Sequence, residues 1–461
     1  MRKVDYLVVG SGPAGQRAAI QAAKLGKKVV LIERRSLVGG VTVHTGTIPS
    51  KTLREAILYL TGWRQRGFYG RDYRVKESIT IDDLAQRLQF TIRHEIEVIN
   101  DQLYRNGVEV ITGEASFADA NIINVKLRDG ETRKYTADKI FLATGTHPRR
   151  PDNIPFNDST VLDSDSLLRI ESIPRSIIVY GAGVIGVEYA SMFKTLDIDV
   201  TLVNERDRML SFIDHDVMDE FSHLLRENGM RLMLGEKLEN ISHTDSGKVE
   251  VHFVSGRSVT ADVLLFAAGR IGCTSALKLE NAGLQATDRH QLTVNDNYQT
   301  DVPHIYAAGD LVGFPSLAST SMEQGRIAAY HAFNDSRIKM PQHFPYGIYS
   351  IPEISMIGKT EQELVKDGVA FETGIARFHE TARGQILGLC EGLLKILVDI
   401  NNHRILGVHI VGEGATELIH IGQAVMILGG KLEYFVENVF NYPTLAETYK
   451  VAALDAWNRI R

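Results

Sequence analysis

Tyr6-Leu7-Val8-Val9-Gly10-Ser11-Gly12-Pro13-Ala14-Gly15 opens the chain, and Ile177-Ile178-Val179-Tyr180-Gly181-Ala182-Gly183-Val184-Ile185-Gly186 repeats its pattern near the middle. Each stretch is an apolar, β-rich run, then a Gly-x-Gly-x-x-Gly turn, then the start of a helical pattern. The first glycine of such a turn permits a tight bend. The second lets a pyrophosphate approach the backbone, and the third lets helix and strand pack closely. The helix N-terminus behind the turn offers free N–H groups and partial positive charge to an anion. One such fingerprint is a weak signal; two, each between a strand and a helix, predict a chain built for two dinucleotides.

The second strand of each unit ends at the same offset from its first glycine, at Glu33 in one and Asn204 in the other. A carboxylate there accepts hydrogen bonds from the ribose hydroxyls of an adenine dinucleotide. A neutral amide does not demand those bonds and does not repel a 2′-phosphate. A carboxylate about 4 Å from a phosphate charge costs roughly 4 kcal/mol at an effective dielectric of about 20. Arg206 and Arg208 follow Asn204 and could pair with a phosphate, while Glu205 opposes them. Two readings of Asn204 stay open: a surface turn asparagine, or the residue that admits both NAD and NADP.

Composition narrows the class. The 461 residues allow two to four domains, and 44% hydrophobic with 23% charged residues is ordinary for a soluble globular protein. A net charge of −6 argues against nucleic acid or an anionic membrane as partner. The first strand begins by about Val4, which leaves no room for a signal peptide, and no apolar run is long enough to span a bilayer. The two cysteines, Cys273 and Cys390, are far apart and lack metal-ligand spacing. A disulfide scaffold is thereby excluded, no metal site is expected, and a cytoplasmic location is the default.

Along the chain, the first unit reads as strand, glycine turn, a helix from Gly12 to about Leu25, and a strand over 28–33. Residues 52–105 are mostly helical in pattern, with a loop around 67–73. Short strands follow over 107–126, with turn chemistry at Asp129-Gly130, and the strand Lys139-Ile140-Phe141-Leu142-Ala143 runs into Thr144-Gly145. The proline-punctuated 148–155 suits a domain crossing. The second unit runs from after Pro174 to Ala267-Ala268-Gly269-Arg270, an ending that echoes Ala143-Thr144-Gly145 and points to an internal duplication. A buried strand ending at Ala308-Gly309-Asp310 precedes a helix over about 316–332. Beyond 341–345 the pattern shifts to strands (394–400, 405–410) and apolar helices, which reads as a third domain.

The segment Gly39-Gly40-Val41-Thr42-Val43-His44-Thr45-Gly46-Thr47-Ile48-Pro49-Ser50-Lys51 resembles the active-site segment of the flavoprotein disulfide reductases, the family of dihydrolipoamide dehydrogenase and glutathione reductase. The resemblance covers essentially the whole chain, through both glycine units, Ala308-Gly309-Asp310 and Tyr442-Pro443-Thr444 with Glu447. Members carry a redox disulfide as Cys-x4-Cys in that segment and a His–Glu pair near the C-terminus. Thr42 and Thr47 stand at the cysteine positions here, and Tyr442 at the histidine position. A hydroxyl cannot undergo thiol–disulfide exchange, so disulfide reduction is chemically implausible. Thr45–Lys51, Asn204–Arg208 and Asn441–Thr444 are similar to the soluble, Si-specific pyridine nucleotide transhydrogenase branch, which exchanges hydride between NADPH and NAD through FAD. Members of that branch often keep the first cysteine; this chain has neither.

The resemblance implies an α/β fold: two nested Rossmann-like FAD- and NAD(P)-binding domains plus a C-terminal α+β dimerisation domain. The FAD domain would comprise 1–150 and 276–343, the NAD(P) domain 151–275 and the interface domain 344–461. Gly10, Gly12, Gly15, Glu33 and Arg34 would hold the ADP half of FAD. Gly40, Thr42, Gly46, Ser50 and Lys51 would lie along its ribityl chain and ring, with Ala115, Thr144 and Gly145 adding contacts. Asp310 would bond the ribityl or pyrophosphate region, and Ala318 would start a helix aimed at the flavin. Gly181, Gly183, Ile185, Gly186, Asn204, Arg206 and Gly269 would form the nicotinamide-dinucleotide site. Lys51 and Glu188 match a family ion pair beside flavin N5 and are the expected catalytic residues. His44 is read as a packing or backbone-bonding residue, Tyr442 as a structural plug, and the two cysteines as inert buried or semi-buried thiols.

The activity implied is ping-pong transfer of hydride from NADPH through FAD to NAD, or the reverse, with FAD, NAD and NADP as cofactors and a homodimer, or a higher homo-oligomer, as the assembly. Small nucleotides would be the only other partners, with no nucleic acid or membrane. Two alternatives remain: an NAD(P)H-dependent reductase of quinones, dyes or oxygen, and a non-enzymatic flavin-bound redox sensor.

Overall fold

The computed structural model describes residues 1–333 and 338–460. The chain divides into two compact units. One comprises Met1–Thr52, Ala85–Arg149 and Gly269–Pro341; the other comprises Leu53–Leu84, Arg150–Ala268 and Gln342–Arg461.

In the first unit, strand Arg2–Val9 lies parallel between Val29–Glu33 and Thr132–Leu142. Glu109–Asp119 continues the parallel sheet on one side, and Ile305–Ala307 on the other. Ile122–Leu127 pairs antiparallel with both Glu109–Asp119 and Thr132–Leu142. Val29–Glu33 is buried throughout and Arg2–Val9 from Tyr6 onward, as expected of a parallel sheet covered on both faces. Helix Pro13–Lys24 begins with proline at its first turn, where the missing N–H has no partner to lose. It packs against helix Ala318–Ala332 at very short range, because Gly325 has no Cβ to collide with the Ala14 carbonyl.

The second unit contains the repeat. Its parallel sheet runs Arg231–Leu234, Asp199–Asn204, Ser176–Tyr180, Val263–Phe266 and Val161–Leu162. The first four match the order 109–119, 29–33, 2–9, 132–142 in the first sheet. The antiparallel sheet Leu238–His243, Val249–Phe253, Ser258–Ala261 matches the meander there. The duplication read from the glycine turns therefore extends to whole sheets. The fifth strand differs: Ile305–Ala307 arrives from later in the chain, whereas Val161–Leu162 precedes its glycine unit.

The same unit holds a five-stranded antiparallel sheet of Tyr346–Ile348, Ile354–Gly358, Ile405–Val411, Leu393–Asp399 and Phe371–Arg377. Helices Ala415–Ile427 and Glu447–Ile460 bury small residues against it, among them Ala415, Gly422, Ala452 and Ala456. Lys395 and His409 face each other in register on this sheet, both fully buried. The Lys395 ammonium meets Asp214 at 2.9 Å, Asp216 at 2.7 Å and Glu361. One of the apolar helices of the last domain runs from Ala415 to Ile427, and the helix read from about 316 starts at Ala318.

Candidate functional site

The two glycine turns have the same internal logic. Gly10 and Gly181 adopt φ of +102° and +109°, and a Cβ on either would press on the backbone at Ala143 or Ala267. A Cβ on Gly15 or Gly186 would collide with the carbonyl of Gly10 or Gly181. The middle glycines are different: a Cβ on Gly12 or Gly183 meets nothing within 4 Å. Glycine is needed there for something other than the chain's own packing, and space for a pyrophosphate fits. Gly12 and Gly183 are also the N-caps of helices Pro13–Lys24 and Val184–Thr195. Neither helix has a side-chain cap or an acidic residue in its first turn. Helices Glu361–Lys366 and His215–Glu227 close their first N–H groups with Thr360 and Asp214. The two glycine helices leave theirs for an anion.

The strand-end residues close the two turns with opposite polarity. Glu33 is buried; it accepts from Ser11 N–H at 3.0 Å, Ser11 Oγ at 2.6 Å and Arg35 N–H at 2.9 Å. A carboxylate has about four acceptor positions, so about one is left for a ribose hydroxyl. Asn204 Oδ1 accepts from Ala182 N–H at 3.1 Å, the equivalent of the Ser11 bond. Its Nδ2 donates to the carbonyls of Arg206 at 3.1 Å and Arg208 at 3.0 Å. Both amide donors are thus engaged in folding the 204–208 loop, and one acceptor lone pair remains. Arg206 is exposed beside Ser211 Oγ at 3.3 Å; Arg208 reaches Asp219 at 3.1 Å, and Arg34 is exposed.

The rest of the first unit's half surrounds these elements. A Cβ on Gly40 would stand 2.7 Å from Gly12 Cα, so two glycines meet beside the pyrophosphate cradle. Thr42 lies half-buried in the short helix Gly40–His44, and His44 Nε2 bonds Val38 O at 2.9 Å, a backbone contact as read. Gly46 packs on Val41. Ser50 is buried, with its hydroxyl 3.3 Å from Thr47 O, and Lys51 is half-buried in helix Thr47–Leu60. Ala115 is buried in its strand, and Gly145 turns at φ +70°. Asp310 accepts from Thr146 Oγ1 at 3.1 Å, and Arg270 bonds that same hydroxyl oxygen at 2.9 Å. Ala318 is the first residue of a helix that also lacks a side-chain cap and an early acid. Thr45 Oγ1 and Thr144 Oγ1 are buried with no hydrogen-bond partner among the described residues. Buried polar atoms are almost always paired, so this half fits a polar cofactor such as FAD.

In the second unit, Glu188 is buried rather than solvated, and its Oε1 accepts from Tyr349 N–H at 2.9 Å. Three residues on, Ser191 Oγ accepts from Ile351 N–H at 3.0 Å. Burial raises the Tyr349 phenol above its ordinary pKa and keeps it neutral. Ile185 is half-buried in the first turn of the same helix, and Gly269, at φ +103°, has open space where a Cβ would be.

Tyr442 is 74% exposed on its own chain, and Glu447 accepts from Thr444 N–H at 3.4 Å. One expectation needs correction. Cys390 is exposed, and only Cys273 is semi-buried. Ser11 and Thr146, which hold Glu33 and Asp310, escaped sequence reasoning. Ser11 sits inside the fingerprint and was legible there; Thr146 has no local signal. Among the described residues no cluster suits a metal ion and no helix is long and apolar enough to cross a membrane.

The pyridine nucleotide-disulphide oxidoreductase family matches residues 4–325, and the dimerisation domain of that family matches 344–453. A soluble pyridine nucleotide transhydrogenase of Mycobacterium tuberculosis (strain ATCC 25177 / H37Ra) is 50% identical over 100% of this chain and 98% of its own. One from Colwellia psychrerythraea is 45% identical over 99% and 98%. LpdA from Mycobacterium tuberculosis superposes with a TM-score of 0.89 at 28% identity, covering 98% of this chain and 99% of that one. The HOCl-induced flavoprotein disulfide reductase RclA from Escherichia coli, as its Cu(II) complex, does so at 0.88 and 27%, with the same coverage. Two glycine cradles on duplicated sheets, followed by a dimerisation domain, are the family's plan, and this chain belongs to the pyridine nucleotide-disulphide oxidoreductases.

Proposed function

We propose that the protein is an FAD-dependent transhydrogenase that moves hydride between NADPH and NAD. Its cofactors are FAD, NAD and NADP. The observation that carries this reading is the pair of glycine cradles, alike in geometry but closed by a carboxylate at Glu33 and by a neutral amide at Asn204. The Glu33 cradle suits a permanently held ADP moiety; the Asn204 cradle suits coenzymes with and without a 2′-phosphate. The segment 39–51 holds Thr42 and Thr47 and no cysteine, so no thiol pair is available there to receive electrons.

When bound, FAD supplies a site that accepts hydride from one nicotinamide and returns it to another. The chain's own residues bind and orient. The free N–H groups at Gly12 and Gly183 take the two pyrophosphates. Glu33 offers its remaining lone pair to a ribose hydroxyl, and Arg206 offers positive charge to a 2′-phosphate. Asp310 and the amides at Ala318 border the flavin in this reading, and Lys51 and Glu188 are its catalytic residues. The FAD domain is assigned to 1–150 and 276–343, the NAD(P) domain to 151–275 and the interface domain to 344–461. A homodimer, small nucleotides as the only other partners, and the cytoplasm complete the proposal. The dimerisation-domain match, the net charge of −6 and the scarcity of cysteine support these assignments.

Steady-state kinetics with NADPH and thio-NAD test it. A single nicotinamide site used in turn gives parallel reciprocal plots, and converging plots would refute it. Reduced enzyme that is reoxidised by quinone but not by NAD would instead make it a quinone reductase.

A further inference from the structure

The segment Tyr349–Glu353 is fastened by bonds at Tyr349, Ser350, Ile351 and Glu353. Tyr349 N–H donates to Glu188 Oε1, and Ile351 N–H to Ser191 Oγ. The Ser350 carbonyl accepts from Arg54 Nε at 3.2 Å, and Glu353 Oε1 pairs with another nitrogen of the same guanidinium at 3.1 Å. The second oxygen of Glu353 accepts from Thr416 N–H at 3.1 Å and Thr416 Oγ1 at 2.7 Å, in the first turn of helix Ala415–Ile427. The third face of the guanidinium meets Glu55 at 2.7 Å. Arg54 is only 2% exposed and Glu353 7%.

A buried ion pair gains little over apolar residues of the same volume, so stability alone is a weak reason for this one. Its geometry gives a better reason. A planar guanidinium bonds three partners in fixed directions, which an ammonium on a flexible stem cannot do. Two of those partners, the Ser350 carbonyl and the Glu353 carboxylate, belong to the segment that carries the N–H of Tyr349. Glu188 therefore receives its hydrogen bond from a residue whose neighbour, Ser350, is held at its carbonyl by Arg54. Arg54 also lies at i+3 from Lys51 on helix Thr47–Leu60, on the same helical face.

We propose that Arg54, together with Glu353, is a positioning residue for hydride transfer, acting by fixing the segment that orients the Glu188 carboxylate. This rests on the reading of Glu188 as a functional residue of the nicotinamide site.

The test uses the FAD-loaded full chain as wild type, Arg54→Lys, Glu188→Gln and the double variant. Rapid mixing with saturating NADPH reads the rate of flavin bleaching, and hydrogen exchange reads the amides of residues 349–351. Arg54→Lys is expected to slow bleaching roughly 10- to 100-fold, the scale of a small misplacement near the reacting atoms. NADPH affinity should stay within about two-fold, because the loss falls on the transition state rather than on uniform binding. Exchange at 349–351 should rise. The double variant should be no slower than Glu188→Gln alone, since residues acting through one another are not additive. An Arg54→Lys enzyme with wild-type bleaching, or losses that multiply in the double variant, would overturn the inference while leaving the Glu188 reading intact. A Glu188→Gln enzyme with an unchanged rate would overturn both. If Arg54→Lys does not fold, Glu353→Gln carries the same test: the amide keeps one acceptor and turns the other into a donor, which then faces the donors of Arg54 or of Thr416 and breaks the fastening on one side.

Discussion

Asn204→Asp should separate the two coenzymes. The substitution keeps the acceptor that Ala182 N–H uses and is nearly isosteric. Glu33 shows that a carboxylate closing this kind of turn is compatible with the fold. It removes both donors to the Arg206 and Arg208 carbonyls and places negative charge about 3 Å from each of them. Losing two part-exposed hydrogen bonds costs about 1–2 kcal/mol, and this loosening of the loop is felt by either coenzyme. The charge itself is felt by one. Against a 2′-phosphate about 4 Å away it costs about 1 kcal/mol in water-like surroundings and about 4 kcal/mol at an effective dielectric of about 20. Asn204 is half-buried, so the value falls between these limits. NADPH affinity should therefore fall about 5- to 700-fold further than NADH affinity at low salt, at about 1.4 kcal/mol per factor of ten.

Titrating oxidised enzyme with NADP and NAD by calorimetry, at low and at high ionic strength, measures the difference. Rising salt should shrink it, because a half-exposed charge pair is screened. Equal losses for the two coenzymes at both salt concentrations would refute the electrostatic argument and leave Asn204 a purely structural turn residue. An unchanged NADP affinity would refute both roles.

Three further outcomes are expected. Gly15→Ala should destabilise the protein by about 1–3 kcal/mol through overpacking, whereas Gly12→Ala should leave stability within about 0.5 kcal/mol yet lose flavin; apoprotein melting and the flavin content of the purified protein separate the two. A thiol-specific dye should label exposed Cys390 quickly and half-buried Cys273 slowly without abolishing transhydrogenation, since no thiol lies in segment 39–51; inactivation in step with labelling would contradict that. Lys395→Met should cost about 3–5 kcal/mol in chemical denaturation, because it leaves Asp214 charged and buried without its cation. In the wild type, burial opposes ionisation of Asp214, but His409, the Glu361 N–H and Lys395 together hold its pKa below the ordinary value. Its contribution is therefore complete above about pH 4, the unfolded value, and is lost as pH falls through the lower folded one; denaturation midpoints between about pH 6 and pH 3 in wild type and Lys395→Met should converge toward acid.

The sequence makes the two cradles legible because their demands are local. A positive φ, a helix pressed on a strand and an open approach each require glycine at one position, and Gly10, Gly12 and Gly15 meet all three within six residues. The strand ends are legible for the same reason: their offsets are set by the length of one helix and two strands. What could not be read were bonds made by groups distant in the chain. Thr146 meets Asp310 across 164 residues, and Tyr349 meets Glu188 across 161. Neither partner belongs to a spacing that propensity or periodicity would mark.

The two strand-end residues also bear on how one cradle came to differ from the other. In both, the N–H after the first glycine is accepted by the strand-end side chain. That bond asks only for an acceptor, and Glu, Asp or Asn would satisfy it. The second bond decides. At Glu33 the next partner is the N–H of Arg35, which requires an acceptor again, so a carboxylate closes the loop and stays available to a ribose hydroxyl. At Asn204 the next partners are the carbonyls of Arg206 and Arg208, which require donors. An aspartate could not fold this loop with its own side chain even if no phosphate ever bound there. The asparagine thus meets two demands at once, a loop that presents carbonyls inward and a coenzyme that brings extra negative charge. A variant that restores selectivity for NAD would need more than a carboxylate at 204. It would also need a loop rebuilt to turn an N–H, rather than two carbonyls, toward that position. Asn204→Asp alone should therefore reject NADPH without gaining the NADH affinity that a rebuilt loop would give.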